Sequence, residues 1–275
     1  MSIITISRQM GTGAYQIASD VARELKYTLV DAELIRSRAQ KHGLSSEMFE
    51  MVDEKPPSFD TVENRKRAAA LNTLELILLD FARKGNVVLY GRGCQYLLRD
   101  CGNVLKVRIV ADSEDRMSRF AEREWIDPDL ANSIIRLNDY QREGFISFCF
   151  NASWDDPLAY DIVFNMTRLS QKSVVNSIVV AAKEPRLKQT EADAAEFIDN
   201  TILTNRIKIA LLDAEECDYR PFRISSVKGR VYLNGCLSSE EAKNTVLKIV
   251  KSVKGVREIK EEIQVVNYDL YKDKS

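Results

Sequence analysis

Short apolar runs recur through the first two thirds of this 275-residue chain, separated by stretches with helical spacing. The runs are Ile3–Ile6, Thr28–Asp31, Val87–Tyr90, Val104–Val110 and Tyr160–Asn165. Strands separated by helices need crossover connections, and crossovers build a largely parallel sheet flanked by helices, an α/β class. The first helix carries Ile17, Ala18, Val21, Ala22 and Leu25 at helical spacing. Further helices are predicted from Glu33 to Lys41, within SSEMFEMVDE, from Val62 to Lys84, after an Asp112 or Ser113 cap, and from Ser170 to about Lys183. Ligands of such sheets sit beyond the carboxyl ends of the strands. That rule selects Ser7–Gly13, Asp31, Gly91–Gly93 and Asp112.

The texture changes after the last of these helices. Lys183–Thr190 is charged, contains Pro185 and lacks an apolar pattern, so a linker is placed at 185–192. It divides a first domain, 1–184, from a second, 193–268, with a tail at 269–275. The second domain reads as a helix from Asn200 to Ala214, two strands around Gly229, a helix from Ser238 to Val253 and a closing strand. That is a small α+β unit of roughly 75 residues, large enough to fold alone.

Net charge is -1, which argues against a broad nucleic-acid footprint. The amino terminus lacks the basic region and apolar core of a signal peptide. No apolar run approaches the ~20 residues of a membrane span, so a cytoplasmic protein is expected. The five cysteines form no C-x-x-C pair and read as reduced structural thiols. His42 is the single histidine and sits beside Gly43 at a predicted helix end, which argues against multi-histidine metal sites.

The first strand, loop and helix read ITISRQMGTGAYQIA. A phosphate loop, G-x-x-x-x-G-K-[ST], works by pointing successive backbone N–H groups into one concavity at a helix N-terminus. Gly11 and Gly13 keep that cradle, which spans Ser7, Arg8, Gly11, Thr12, Gly13 and Ala14. Arg8 stands at the first glycine, Ala14 at the lysine, and Tyr15 or Gln16 at the hydroxyl that holds magnesium. A charge-assisted hydrogen bond contributes ~1.5–3 kcal/mol. Losing one that tightens in the transition state slows chemistry by roughly 10²–10³. Arg8 is a candidate to supply the missing charge. The segment taken alone also fits a tight turn with no ligand.

Two arginine-bearing segments follow. In VVLYGRGC, Arg92 lies between glycines just after a strand end, exposed on the ligand side and suited to a bidentate phosphate contact. In DSEDRMSRFAERE, Arg116, Arg119 and Arg123 share a helix face, with Arg136 and Arg142 on the next helix. Guanidiniums near a phosphate cradle suit phosphoryl transfer. A surface turn, and a solvated face paired with Asp115, Glu122 and Glu124, are the plainer readings of the two segments.

Taken in order, these pieces resemble the cytidylate kinase-like family of P-loop nucleoside monophosphate kinases, in a divergent branch whose loop lacks the lysine. ITISRQMGTG is similar to that branch's S-R-x-x-G-[ST]-G, LVDAELI to its second strand, LYGRG to G-R-D with Gly93 for the aspartate, and WDDPLAYDIVFN to its closing strand. The resemblance implies ATP as donor, magnesium, a CMP-like acceptor held by Asp31 and Arg92, and lid-type catalytic roles for Arg116, Arg119, Arg123 and Arg142. Asp193–Val266 resembles a BON domain through NRIKIALLD, its glycines Gly229, Gly235 and Gly255, and the GV before the final strand. This implies docking of a protein partner, a ligand or a lipid surface. The alternative reading is a catalytically impaired nucleotide sensor coupled to the BON unit.

Overall fold

A computed structural model describes residues 2–56, 64–214 and 223–266. The first unit holds five strands: β1 (Ile3–Arg8), β2 (Thr28–Val30), β3 (Val87–Tyr90), β4 (Val104–Val110) and β5 (Ile162–Asn165). Its helices are α1 (Ala14–Leu25), α2 (Ala32–Lys41), α3 (Ser46–Val52), α4 (Asn64–Lys84), α5 (Cys94–Leu97), α6 (Ser113–Glu124), α7 (Pro128–Phe150) and α8 (Gln171–Ala181). The strands pair in the order β2-β3-β1-β4-β5, every pair parallel, as the alternation of strand and helix predicts. The expected helix start at Val62, Cys217 and the tail at 269–275 lie outside the described residues.

β1 is central and buried along its length. Successive strand residues point to opposite faces. Ile3 therefore joins Val30, Leu89 and α4's Leu74 in one core, while Ile4 and Ile6 join Ile17, Val21, Val174 and Ile178 in the other. α6 and α7 form a helical hairpin around Phe120, Ala121, Ala131 and Ile135, and Met10 of the loop after β1 packs against it.

The stretch expected as a linker is helical. α9 (Pro185–Gln189) opens on its proline, whose missing N–H costs nothing at that position, and α10 (Glu191–Asp213) follows directly. α10 thus starts well before the predicted Asn200. Its apolar residues face two different partners and make no single stripe. Ala194, Ile198 and Ile202 enter the first unit's core beside α4, while Leu203, Ile207 and Leu211 enter the core of the second.

The second unit is a three-stranded mixed sheet, β6-β7-β8, made by β6 (Arg223–Val227), β7 (Arg230–Leu237) and β8 (Glu258–Val265). Lys228 and Gly229 both have positive φ, 52° and 84°, which is the two-residue turn that suits twisted antiparallel strands. α11 (Glu240–Ser252) makes the crossover to the parallel strand β8. Its Val246 and Val250 pack on Val231 and Leu233.

Two arginines near the start of α4 tie these parts together. Arg65 Nε donates to the Leu212 carbonyl at 2.6 Å and its Nη2 to the carbonyls of Leu211 and Ala214, at the end of α10. Arg67 Nη2 donates to the carbonyls of Lys55, at 3.3 Å, and Pro56, at 2.6 Å. No described helix is long and apolar enough to cross a membrane.

Candidate phosphate-binding site

β1 ends at Arg8 and α1 begins at Ala14, with the loop between. Gln9 N–H donates to the Ile109 carbonyl at 3.1 Å, and Met10 N–H donates to Asp139 Oδ1 at 3.0 Å. These bonds anchor the first half of the loop to the sheet and to α7. Among the described residues, the N–H groups of Gly11, Thr12, Gly13 and Ala14 donate to no backbone carbonyl. Helix N-termini leave such groups unpaired, and their convergence favours an anion. Gly11 has φ 82°, and a Cβ there would stand 2.6 Å from the Arg116 carbonyl oxygen, so the turn needs glycine.

The side chains at the end of the loop are committed elsewhere. Thr12 Oγ1 donates to the Gln9 carbonyl at 2.8 Å. Ala14, at the lysine position, is buried. Tyr15 donates its hydroxyl to Asp31 Oδ2 at 2.9 Å, while Asp31 Oδ1 accepts from Leu34 N–H at 3.0 Å and caps α2.

Beside the loop lies a pocket of about 400 Å³, lined among others by Arg8, Tyr15, Asp31, Glu54, Tyr90, Arg92 and Arg142. Gly91, Arg92 and Gly93 have φ of 82°, 58° and 67° in succession. A non-glycine residue in that region costs roughly 1–2 kcal/mol. The turn carries Arg92 inward: it is 5% exposed, not the open surface arginine the sequence suggests. Its Nη1 donates to the Tyr90 carbonyl at 3.0 Å and its Nη2 to Asp53 Oδ2 at 2.8 Å.

Arg8 stacks 4.3 Å above the Tyr90 ring and forks onto Glu54, Nη1 to Oε1 at 2.6 Å and Nη2 to Oε2 at 2.8 Å. Arg142 Nε donates to Glu54 Oε2 at 3.1 Å, and Arg92 N–H donates to Oε1 at 2.7 Å. Burial works to raise the Glu54 carboxyl, but Arg8 and Arg142 outweigh it and hold the group well below the usual carboxylate range. Burial prevails at Asp53, which is raised in spite of Arg92. Arg142 is lowered by burial and by the like charge of Arg8.

Arg8, Asp31, Arg92 and Arg142 thus meet at one pocket, next to the Gly11–Ala14 amides. Three other expected contributors lie apart from it. Ser7 points to the opposite face from Arg8, as strand alternation requires, and its Oγ accepts from Trp154 Nε1 at 3.0 Å. Arg119 Nη2 donates to the Met166 carbonyl at 2.8 Å. Arg123 pairs with Glu124 at 2.8 Å in solvent. Arg116 and Arg123 share an angular face, but seven residues separate them by about 10 Å along the axis. Arg116 serves the loop from above, donating from Nη1 to the Met10 carbonyl at 3.1 Å and to Asp139. The residues that sequence reasoning missed are Asp53, Glu54, Tyr90 and Asp139. Asp139 has a local signal, standing one turn before Arg142 on α7.

Comparison with known proteins gives the family and the fold. The chain matches the model of the Cytidylate kinase-like family over residues 3–168 and that of the BON domain over residues 199–267. A cytidylate kinase of Archaeoglobus fulgidus is 28% identical over 187 residues, 67% of this chain and 97% of that protein. Another, from Staphylothermus marinus, is 29% identical over 180 residues, 65% of this chain and 94% of that protein. The crystal structure of an uncharacterized protein from Eubacterium ventriosum shares the fold, with a TM-score of 0.54 at 21% identity, over 66% of this chain and 97% of that one. The chain belongs to the cytidylate kinase-like family and carries a BON domain behind its kinase-like unit.

Proposed function

We propose that this protein binds a nucleotide at the Gly11–Ala14 amides and transfers a phosphoryl group from ATP to a nucleoside monophosphate, CMP-like, held in the arginine pocket. The observation that carries the reading is the convergence of Arg8, Arg92 and Arg142 on one pocket beside the loop whose Gly11–Ala14 amides donate to no backbone carbonyl. Catalysis of this class is mostly positioning and charge stabilisation. The loop amides hold the donor's phosphates. Arg8, Arg92 and Arg142 orient the acceptor's phosphate, and Arg8, at the junction of loop and pocket, also faces the transferring group. Its position offsets part of what Ala14 forfeits.

Magnesium, which kinase chemistry of this kind employs, has no fitting side-chain ligand at the loop. The Thr12 hydroxyl is turned to Gln9, the Tyr15 hydroxyl to Asp31, and the described residues hold no cluster of three metal-ligating groups.

Two observations favour the second reading, a nucleotide-responsive sensor: the lysine position is a buried alanine, and the guanidinium of Arg8 is bound to Glu54. Incubation with ATP, magnesium and a panel of monophosphates tests the two together with melting curves. ADP release that depends on the acceptor and falls on Arg92→Ala supports transfer. A raised melting temperature with nucleotide and no turnover selects the sensor, since binding to the native state alone stabilises it. Flat melting at millimolar nucleotide and no turnover reject both.

A further inference from the structure

The arginine pocket already holds an anion of its own. The two oxygens of Glu54 accept four N–H bonds, from Arg8 Nη1 and Nη2, Arg142 Nε and the Arg92 backbone. The backbone of Glu54 sits at φ 54°, a strained conformation for a glutamate. Demand still exceeds supply. Arg142 Nη1 is buried with no hydrogen-bond partner, its nearest carboxylate oxygen on Asp139 being 3.7 Å away. Arg92 Nε is 2.7 Å from Asp53 Oδ1 yet misaligned for a hydrogen bond. The three guanidiniums share the carboxylates of Asp53 and Glu54, with Asp139 at 3.7 Å from Arg142 and Asp31 and Glu33 on the same pocket lining, yet these two N–H groups stay without a hydrogen bond.

We propose that Glu54 is a built-in competitor for the acceptor's phosphate and makes the Arg8–Arg142 site selective for dianions. The inference rests on the acceptor reading of this pocket. A phosphate monoester brings roughly two charges and three free oxygens, against one charge and two oxygens for a carboxylate. It can take over the bonds to Arg8 and Arg142 and reach the unsatisfied Arg142 Nη1 as well. A phosphodiester or a free carboxylate offers no more than Glu54 does, and Glu54 is tethered at the site, with the advantage of high effective concentration. The exchange therefore proceeds only for a ligand richer in charge than the resident group. Glu54 raises the threshold for occupancy and filters what crosses it.

The test is calorimetric titration, at a pH where phosphate is mostly dianionic, of the full chain and its Glu54→Gln variant. The probes are inorganic phosphate, a nucleoside monophosphate and the same nucleoside's 3′,5′-cyclic diester. The full chain binds the first two and not the diester. Glu54→Gln binds phosphate about tenfold tighter or more and gains affinity for the diester. Equal or weaker phosphate binding by the variant shows that Glu54 merely positions the arginines, and overturns the inference while leaving the acceptor reading intact. Absence of all binding by both proteins overturns the acceptor reading and the inference with it. A phosphate-soaked crystal of the unmodified chain decides independently of how the variant folds. Phosphate on Arg8 and Arg142 with Glu54 turned out supports the exchange. Glu54 still bridging both arginines with phosphate bound elsewhere refutes it.

Discussion

Gly91 and Glu54 share a few cubic ångströms of space. A Cβ on Gly91 would stand 2.3 Å from both Arg8 Nη1 and Glu54 Oε1, at a φ of 82°. Gly91→Ala therefore strains the turn and pries apart the central ion pair. It should lower stability by about 1–3 kcal/mol in urea unfolding, and weaken monophosphate binding in the same protein. The pH dependence follows from Glu54. Its folded pKa lies below its unfolded one, so its contribution is complete above the ordinary range near about 4.3 and is lost as pH falls through the depressed value. Acid unfolding followed by circular dichroism should show that loss in the native chain and a shallower slope in Glu54→Gln. At this scale the sequence is half legible. Arg8, Arg92 and Arg142 stand out because guanidiniums beside glycine turns or on a helix next to a phosphate loop suggest anions. Their counter-charges do not, because Glu54 and Arg142 lie 88 positions apart in the sequence. Nor does the sequence announce that Arg92 adopts a left-handed backbone and turns inward.

At the scale of elements, helices are readable where one face is apolar and the other wet, and the buried strands as short apolar runs between them. α10 is legible only from Asn200 onward, because its apolar residues are divided between two cores and its first half lies where a linker is expected. The tryptophan motif before β5 has a structural explanation. Trp154 donates to Ser7 and stacks on Arg108 at 4.4 Å, while Arg108 Nη1 donates to the Trp154 carbonyl at 2.6 Å and the Tyr160 hydroxyl at 3.0 Å. The group fixes the approach to β5 and contributes no side chain to the pocket. The clamp on α10 is open to test. Arg65 satisfies carbonyls that a helix C-terminus otherwise leaves to water. Arg65→Ala should cost about 1–3 kcal/mol, and should accelerate amide hydrogen exchange in the last turns of α10 before it affects β1 or β3.

Over the whole molecule, the parallel pairing of the strands follows from the alternation of apolar runs and helices, and the change of texture near residue 185 falls between the two family matches, 3–168 and 199–267. What the texture conceals is that the first core is completed from beyond that point. Ala194, Ile198 and Ile202 are buried against α4. A chain cut after Glu184 loses them and exposes the apolar face of α4. It should aggregate or melt well below the full chain in a thermal scan, whereas a chain that retains α10 should not show that exposure of α4. Replacing Ile198 and Ile202 together by serine should reproduce the defect in the intact protein.

The shared helix also bears on how the chain is made. Domains generally fold as units, amino-terminal first, as they leave the ribosome. Here the leading unit lacks part of its interior when its own last strand emerges, because Ala194, Ile198 and Ile202 come later in the chain. Its completion waits for the rod that opens the next unit, so the birth of one half is timed by the arrival of the other.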